Sequence, residues 1–228
     1  MSEGFKLTIT PVKPAAIPAE ETILGVARSL IESTSTWTQG KTYKNVKTYH
    51  RSKTLEDGAP WHCRVSEHTS AEVTFDQLWG KLGKDKAINE KEFIPEVHKV
   101  TKVKEISPTS SIWTIYYTFT PPVSPRVFTV LQVTHLEETS PRTGIIISIP
   151  IDLSDNKDLE KLEEKGVRGR YVSVERIMEL ENDETEWRMA TSSTPGGSIP
   201  SFIVESTMAG KISQDVPHFM KWFHGLPK

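Results

Sequence analysis

The sequence predicts an α+β protein in which a large antiparallel sheet is followed by one long C-terminal helix. Three observations carry this. Between residues 98 and 192 six β-rich segments follow one another, separated by turn-like breaks. After TPGGSIP (194–200), the residues Phe202, Ser206, Ala209, Ile212, Val216, Phe219 and Phe223 recur at steps of three and four, which is one stripe of a helix. The chain has 228 residues, 36% hydrophobic and 25% charged, so it is long enough and apolar enough to bury a sizeable core.

Taken in order, residues 1–19 carry Pro11, Pro14 and Pro18 and read as an extended N-terminal segment, with a single domain over 20–228. Glu20 to Ser33 reads as a helix, with Ile23, Leu24, Ala27, Leu30 and Ile31 on one face and a Ser/Thr run to end it. Tyr43–Lys53 and WHCRVSEH (61–68) read as strands joined through the turn EDGAP (56–60), a hairpin. TFDQLWGKL (74–82) places Phe75, Leu78, Trp79 and Leu82 at i, i+3, i+4 and i+7, a short amphipathic helix, and a second short helix is expected around Asn89–Ile94. The β-rich segments then run 98–106, 111–119, 126–136, 144–152, 169–180 and 186–192, an antiparallel meander. The charged stretch DLSDNKDLEKLEEKG (152–166) reads as a solvated loop or short helix. Pro217 removes one backbone hydrogen bond from the last helix, and a kink is expected near Ser213.

Composition excludes several function classes. Lys and Arg number 28 and Asp and Glu 30, a net charge of −2. Dedicated nucleic-acid binders and polybasic membrane anchors carry a basic excess instead. No run reaches the roughly 18 apolar residues of a membrane span, and the opening MSEGFKLTITP lacks the apolar core of a signal peptide. A cytoplasmic protein is expected. Cys63, the lone cysteine, excludes an intramolecular disulfide and a multi-cysteine metal cluster; such a residue is most often an inert small core group. No GxSxG elbow, HExxH helix or phosphate-cradling glycine loop is present. His50, His62 and His68 fall on neighbouring strands, but scattered surface histidines are the commoner case, and no metal-ligand spacing is found. No catalytic residue, metal or cofactor is therefore expected.

A sheet that grips one helix leaves space between them where the facing side chains are small. The helix stripe narrows from Phe202 to Ser206 and Ala209 before widening at Ile212, so a ligand there stands against plain close packing at even weight.

The segments PPVSPRVFTVLQVT (121–134), GIIISIP (144–150), VRGRYVSVERI (167–177) and WRMATSSTPGGSIPSFIVE (187–205) resemble the START family, the lipid-transfer domains related to steroidogenic acute regulatory protein, and more closely a fungal branch of that superfamily. The likeness covers roughly residues 20–224. It implies a helix-grip fold, a tunnel for one lipid or other hydrophobic molecule, a mobile loop at its mouth and no required cofactor. Two departures matter. Many START domains read Arg-Asp-Phe where this chain has Arg126-Val127-Phe128. The steroidogenic branch carries a second Arg six residues after the first, where this chain has Gln132. The cavity implied by the resemblance lacks that cation, and Gln132 offers a hydrogen bond to a hydroxyl or ester in its place.

If Gln132 faces the cavity, strand alternation brings Phe128, Val130 and Thr134 with it. Trp187, Met189 and Thr191 form the more apolar face of the last strand and are expected inward. In 111–119 both faces are apolar and alternation does not choose; Trp113 and Tyr117 are carried as candidates. Glu175 shares a face with Tyr171 and Ser173, which allows an inward polar contact. The candidate ligand-binding set is Trp113, Tyr117, Phe128, Val130, Gln132, Glu175, Trp187, Met189, Phe202, Ser206 and Ala209. The expected function is non-enzymatic binding, with intermembrane transfer, of a phospholipid or sterol by a monomer that touches membranes transiently through apolar tips such as Val123 and the segment around Ile199, with no nucleic-acid partner. The alternatives are a cyclase-like or hydrolase-like enzyme of the wider superfamily acting on an aromatic or polyketide substrate, and a ligand-gated interaction module.

Overall fold

The computed structural model describes residues 4–197, 199 and 201–227, the side chains of 201–203 excepted. The N-terminal segment is tied to the body rather than loose: the Val12 N–H donates to the Pro150 carbonyl at 2.9 Å, and the Val12 carbonyl accepts from the Asp152 N–H at 3.0 Å. Helix α1 spans Glu20–Ser33, the range its apolar spacing predicts. The strands are β1 (Thr38–Gln39), β2 (Lys47–Arg51), β3 (Trp61–Thr69), β4 (Val97–Ser107), β5 (Ser110–Tyr117), β6 (Arg126–Glu137), β7 (Thr143–Pro150), β8 (Val167–Arg168), β9 (Arg170–Glu179) and β10 (Glu184–Thr194). Between β3 and β4 lie α2 (Phe75–Leu82) and α3 (Lys86–Phe93); α4 (Lys157–Glu160) sits in the charged stretch, its first turn capped by the Asn156 side chain. The chain ends in α5, Ser201–His224, which runs unbroken through Pro217; the helix absorbs the missing donor there without ending.

The strands form one curved antiparallel sheet in the order β1-β2-β3-β10-β9-β7-β6-β5-β4, with the two-residue β8 pairing in parallel with β6. The predicted meander is its β4-to-β10 portion. The predicted hairpin, β2 with β3, then joins the last strand through β3 and β10.

Both faces of the sheet are covered, which explains why β7 reads GIIISIP rather than alternating. On the outer face Ile145, Ile147 and Ile149 join Ile112, Leu131, Val133, Val172, Val174 and Ala190 against Ile23, Ala27 and Ile31 of α1. On the inner face Ile146, Ile177 and Trp187 meet Val216 and Phe219 of α5, together with Phe75, Leu78, Trp79 and Leu82 of α2 and Phe93 of α3. A reciprocal capping box between Thr74 and Gln77 starts α2. Trp79 then lies so close over Gly144 that a Cβ there would fall 2.3 Å from the indole; only glycine lets α2 dock.

Candidate ligand-binding site

The site is built from the inner face of the sheet, where strand alternation and register set side chains in rows. One row runs Thr48, Arg64, Met189, Glu175, Ile146 and Thr134 across β2, β3, β10, β9, β7 and β6. The next runs His50, His62, Thr191, Ser173, Ser148 and Gln132. The second row is wholly polar, and Thr191, Ser173, Ser148 and Gln132 in it are all buried. This is unlike an ordinary core, where buried polar groups are scattered and paired.

Around the first row five ionisable side chains from four elements converge. Arg64 projects from β3, Glu175 from β9, Lys86 and Glu90 from α3, and Asp215 from α5. Lys86 Nζ donates to Glu90 Oε1 at 2.6 Å and to Glu175 Oε1 at 2.8 Å. Trp187 Nε1 donates to Glu175 Oε2 at 3.0 Å. The Arg64 guanidinium stacks over Trp187, 4.0 Å from the ring centroid. It lies 3.7 Å from Glu175 Oε2 through Nη2 and 3.7 Å from Asp215 Oδ2 through Nε, ion pairs too long for hydrogen bonds.

The carboxyls respond differently. Burial opposes ionisation of Glu175, but Lys86 and then Arg64 overcome it and hold that carboxyl below its usual range. Burial raises Glu90 against the pull of Lys86. Asp215 is pushed up to about 7, by burial first and by the Glu90 and Glu175 charges, with Arg64 opposing. Lys86 is held ionised by Glu175 and Glu90 although burial works the other way.

Beyond Gln132 the inner face becomes aromatic. Tyr117 meets Phe128 edge-on at 5.2 Å and Phe128 meets Tyr171 at 5.6 Å. Val130 and Ile115 pack beside them, and Trp113 pairs with Val130 across β5 and β6. Of the predicted residues, the structure thus brings Trp113, Tyr117, Phe128, Val130, Gln132, Glu175, Trp187 and Met189 onto one surface. Ser206 and Ala209 lie at the β2 end of the same rows: they line a groove of about 610 Å³ between α5 and β2, with Thr48, His50 and His62. The buried part of the helix is Ile212, Ser213, Val216 and Phe219. The Phe202 side chain lies outside the described residues.

Of the three histidines, His50 is exposed as the surface reading expects, His62 is half-buried, and only His68 departs from that reading. His50 and His62 are cross-strand partners, and burial, then the His50 charge, lowers the His62 pKa. His68 is buried with Nε2 at 2.9 Å from Ser66 Oγ. Among the described residues no group of three or more His, Cys, Asp and Glu is placed to hold a metal ion.

Arg64, Lys86, Glu90 and Asp215 are the residues that the sequence reading missed. For Arg64 a signal existed. His62, Arg64, Ser66 and His68 make one face of β3 wholly polar, opposite Trp61, Cys63 and Val65. In a sheet with one wet face the polar set would face water; here both faces are covered, and the polar set faces α5. Lys86, Glu90 and Asp215 carry no such signal, because charges on helices ordinarily mark the solvent side.

At one end of this surface Arg126 joins two loops. Its Nε donates to the Pro195 carbonyl at 3.3 Å and its Nη1 to the Ser124 carbonyl. Gly196 and Gly197 follow with φ of 66° and 67°, and a Cβ on Gly196 would meet the Arg168 carbonyl oxygen at 2.4 Å, so the turn requires glycine. Lys211 of α5 lies over the Phe119 ring at 6.0 Å on the same side.

Solved structures share this architecture. Human STARD10 aligns with a TM-score of 0.74 at 14% identity, over 92% of this chain and 82% of its own. Human StAR-related lipid transfer protein 5 aligns with 0.68 at 14%, over 88% and 97%. A STAR-related lipid transfer protein fragment from Xanthomonas axonopodis aligns with 0.63 at 16%, over 82% and 98%. At such identities the likeness is one of fold, and the fold is the START helix-grip. No curated protein matches the sequence. The model of a family described as a protein of unknown function, DUF3074, matches residues 61–223, from the first residue of β3 to within one residue of the end of α5, and the chain belongs to that family.

Proposed function

We propose that the protein binds a single lipid between the inner face of the sheet and α5 and carries it between membranes. The observation that supports this reading best is the make-up of that face. A buried polar row and an ion cluster stand at one side of an aromatic and aliphatic surface, the pattern of an amphipathic guest with one polar end. Burying the acyl or ring portion of such a guest supplies about 25 cal/mol per Å² of apolar area. The START helix-grip fold agrees with this reading.

The mouth of the site lies between the 120–125 loop and the turn after β10, which Arg126 holds together. Val123 in the first loop is exposed and provides an apolar tip for transient docking on a membrane. Among the described residues no helix is long and apolar enough to cross one. The test is fluorescent-lipid transfer between vesicles in the presence of a chelator, combined with native mass spectrometry of the purified protein. Transfer above the spontaneous rate and a co-purifying lipid are expected. A protein that neither retains nor moves lipid overturns the proposal.

One observation favours a second reading, an enzyme acting on a hydrophobic substrate. Glu175 and Asp215 are carboxyls of the same cluster whose pKa values are driven in opposite directions, the arrangement that assigns a base and an acid. Product formation from a bound substrate, lost in Asp215→Asn, separates this reading from carriage alone.

A further inference from the structure

Arg64 is 1% exposed, yet its Nε and Nη1 have no hydrogen-bond partner, and Nη2 reaches only the Met189 sulfur, at 3.9 Å. A buried guanidinium ordinarily closes on an anion through short, paired hydrogen bonds. Here the two carboxyls nearest to it both stay at 3.7 Å. Glu175 is already engaged, by Lys86 at 2.8 Å and by Trp187 at 3.0 Å. Asp215 is not: among the described residues its carboxyl has the long ion pair to Arg64 and no hydrogen bond.

Asp215 also stands on the side from which a guest would come. Burial dominates its protonation, yet 25% of its side chain is accessible. A carboxyl that is accessible and still cut off from bulk water faces a space enclosed by the protein. Tyr117 and Tyr171 show the same combination: each is half-buried, and burial pushes the pKa of each hydroxyl up. The Asp215 charge acts on Tyr117, which places the two at one space. Arg64 itself is inaccessible, and Asp215 is the accessible group that covers it.

The groups that face Asp215 are Arg64 of β3, Glu175 of β9, Lys86 and Glu90 of α3 and Tyr117 of β5. On α5 itself Lys211 is turned to Phe119, and His218 is the nearest titratable residue in sequence. Of the three carboxyls only Glu175 is held below its usual range; Glu90 and Asp215 are both raised. Two fixed cations, Arg64 and Lys86, therefore face one fixed carboxylate. Where Asp215 is protonated, an incoming oxyanion supplies the charge that is missing. Where it is ionised, its protonation offsets the newcomer and the total charge of the cluster does not change. An uncharged oxygen accepts from the same donors but leaves the second buried cation without a charge of its own, which is expensive.

We infer that Arg64 is the seat for the oxyanion of an anionic lipid headgroup, which takes the place that Asp215 holds beside the guanidinium. This rests on the lipid-binding reading above and adds to it the headgroup class, the residue that holds the headgroup and the residue that yields to it. Asp215 takes up a proton as the oxyanion arrives and gives it back as the oxyanion leaves, so uptake is favoured below neutral pH and release above it.

The experiment uses phosphatidylcholine vesicles doped with equal mole fractions of dioleoylphosphatidylmethanol and dioleoylglycerol. The two share acyl chains, and the first carries one phosphodiester charge that does not titrate near neutral pH. The protein is incubated at about pH 6 or about pH 8 and separated from the vesicles, and its bound lipid is quantified by mass spectrometry relative to the share of each lipid in the membrane. At the lower pH the wild-type chain is expected to hold the phosphatidylmethanol over the diacylglycerol by about tenfold, the equivalent of about 1.4 kcal/mol. Confining the oxyanion to the form with Asp215 protonated makes its affinity fall about tenfold between the two pH values, so the preference should vanish at the higher one. Phosphatidylcholine, whose phosphodiester is offset by its own ammonium, should rank between the two. Asp215→Asn, which carries no charge at either pH, should keep the preference at both. The double variant R64M/E175Q removes one charge of each sign and keeps an acceptor for Trp187; it should show no preference at either. Parity or a preference for diacylglycerol in the wild-type chain at the lower pH overturns the inference, and means that water completes the Arg64 donors. So does a preference that survives in the folded double variant, or a pH dependence that survives in Asp215→Asn. Displacement of the phosphatidylmethanol by excess inorganic phosphate would make the seat one for a free anion and overturns the headgroup assignment. These outcomes leave lipid binding standing, whereas uptake of no lipid by the wild-type chain removes both readings together. Should the double variant not fold, the wild-type chain and Asp215→Asn still decide.

Discussion

Consecutive residues of β9, Glu175 and Arg176, enter two buried ion clusters on opposite faces of the same sheet. On the outer face, beneath α1, Glu186 takes Arg176 at 2.8 Å and Arg188 at 2.7 Å, and Arg188 Nη1 donates to Thr34 Oγ1 at 2.9 Å at the end of α1. Among the described residues no buried polar side-chain atom of this triad lacks a partner. On the inner face, beneath α5, Lys86 closes on Glu90 and Glu175 at 2.6 and 2.8 Å, but Arg64 has its ion pairs at 3.7 Å and donors left over. The chemistry of the two clusters is nearly the same, and the geometry differs. A closed cluster fastens a helix to a sheet, as a buried pair can when all its hydrogen bonds are made. An open one has capacity that the chain itself does not use, and that capacity marks the candidate site.

The comparison can be broken most directly at Glu186. Glu186→Ala leaves Arg176 and Arg188 facing each other under α1, and urea unfolding should show a loss of about 3–5 kcal/mol. R64M/E175Q on the inner face should cost far less, because it removes a charge of each sign. Equal losses would mean that both clusters are structural fastenings.

Asp215 sharpens the contrast through pH. Its folded pKa of about 7 lies above the ordinary aspartate value, so the folded state binds the extra proton between about pH 4 and 7. The stability contributed by that proton is fully present below pH 4 and is lost as pH rises through 7. Relative to Asp215→Asn, the wild-type chain should lose up to about 4 kcal/mol across this window, with the Glu90 carboxyl, also raised, adding in the same sense to both proteins. A difference curve that is flat from pH 4 to 8 would place Asp215 in water.

Gln132 gives a smaller effect, seen in one assay and not in another. Gln132→Leu should weaken binding of a hydroxyl- or ester-bearing lipid by about 1–3 kcal/mol. It should leave the unfolding free energy of the ligand-free protein within about 1 kcal/mol, because the lost amide nitrogen had no partner. A large loss of stability with unchanged lipid ranking would assign Gln132 to the core. The smallest effect is local. Arg126→Ala should speed amide exchange in 120–125 and 195–197 while leaving the sheet interior protected. Unchanged exchange in both loops would show that Arg126 does not hold the mouth.

Much of the fold was legible in the residues. The helix Glu20–Ser33, the capped α2 and the meander follow from period, turn residues and capping, all of which act within a few positions of one another. The inward set on β10 was legible too, since Trp187, Met189 and Thr191 outweigh their neighbours. The small residues of α5 continue the apolar spacing, and Ser206 and Ala209 line a groove with Thr48, His50 and His62 at the β2 end of the inner-face rows, a neighbour that a stripe alone does not name.

The order of helices and strands, the covered β7 and the lack of any metal or nucleophile motif rest on local pattern, and local pattern is a property of the chain. The site is not. Arg64, Lys86, Glu90, Glu175 and Asp215 span about 150 positions of sequence and meet only because β10 pairs with β3 and α5 crosses the face they share. A charged residue carries no local mark of burial, since its charge favours water unless distant partners replace it. Only the curved sheet, by bringing α3 and α5 over one row of β3, β10 and β9, decides that these five groups face each other, and that Arg64 has donors to spare.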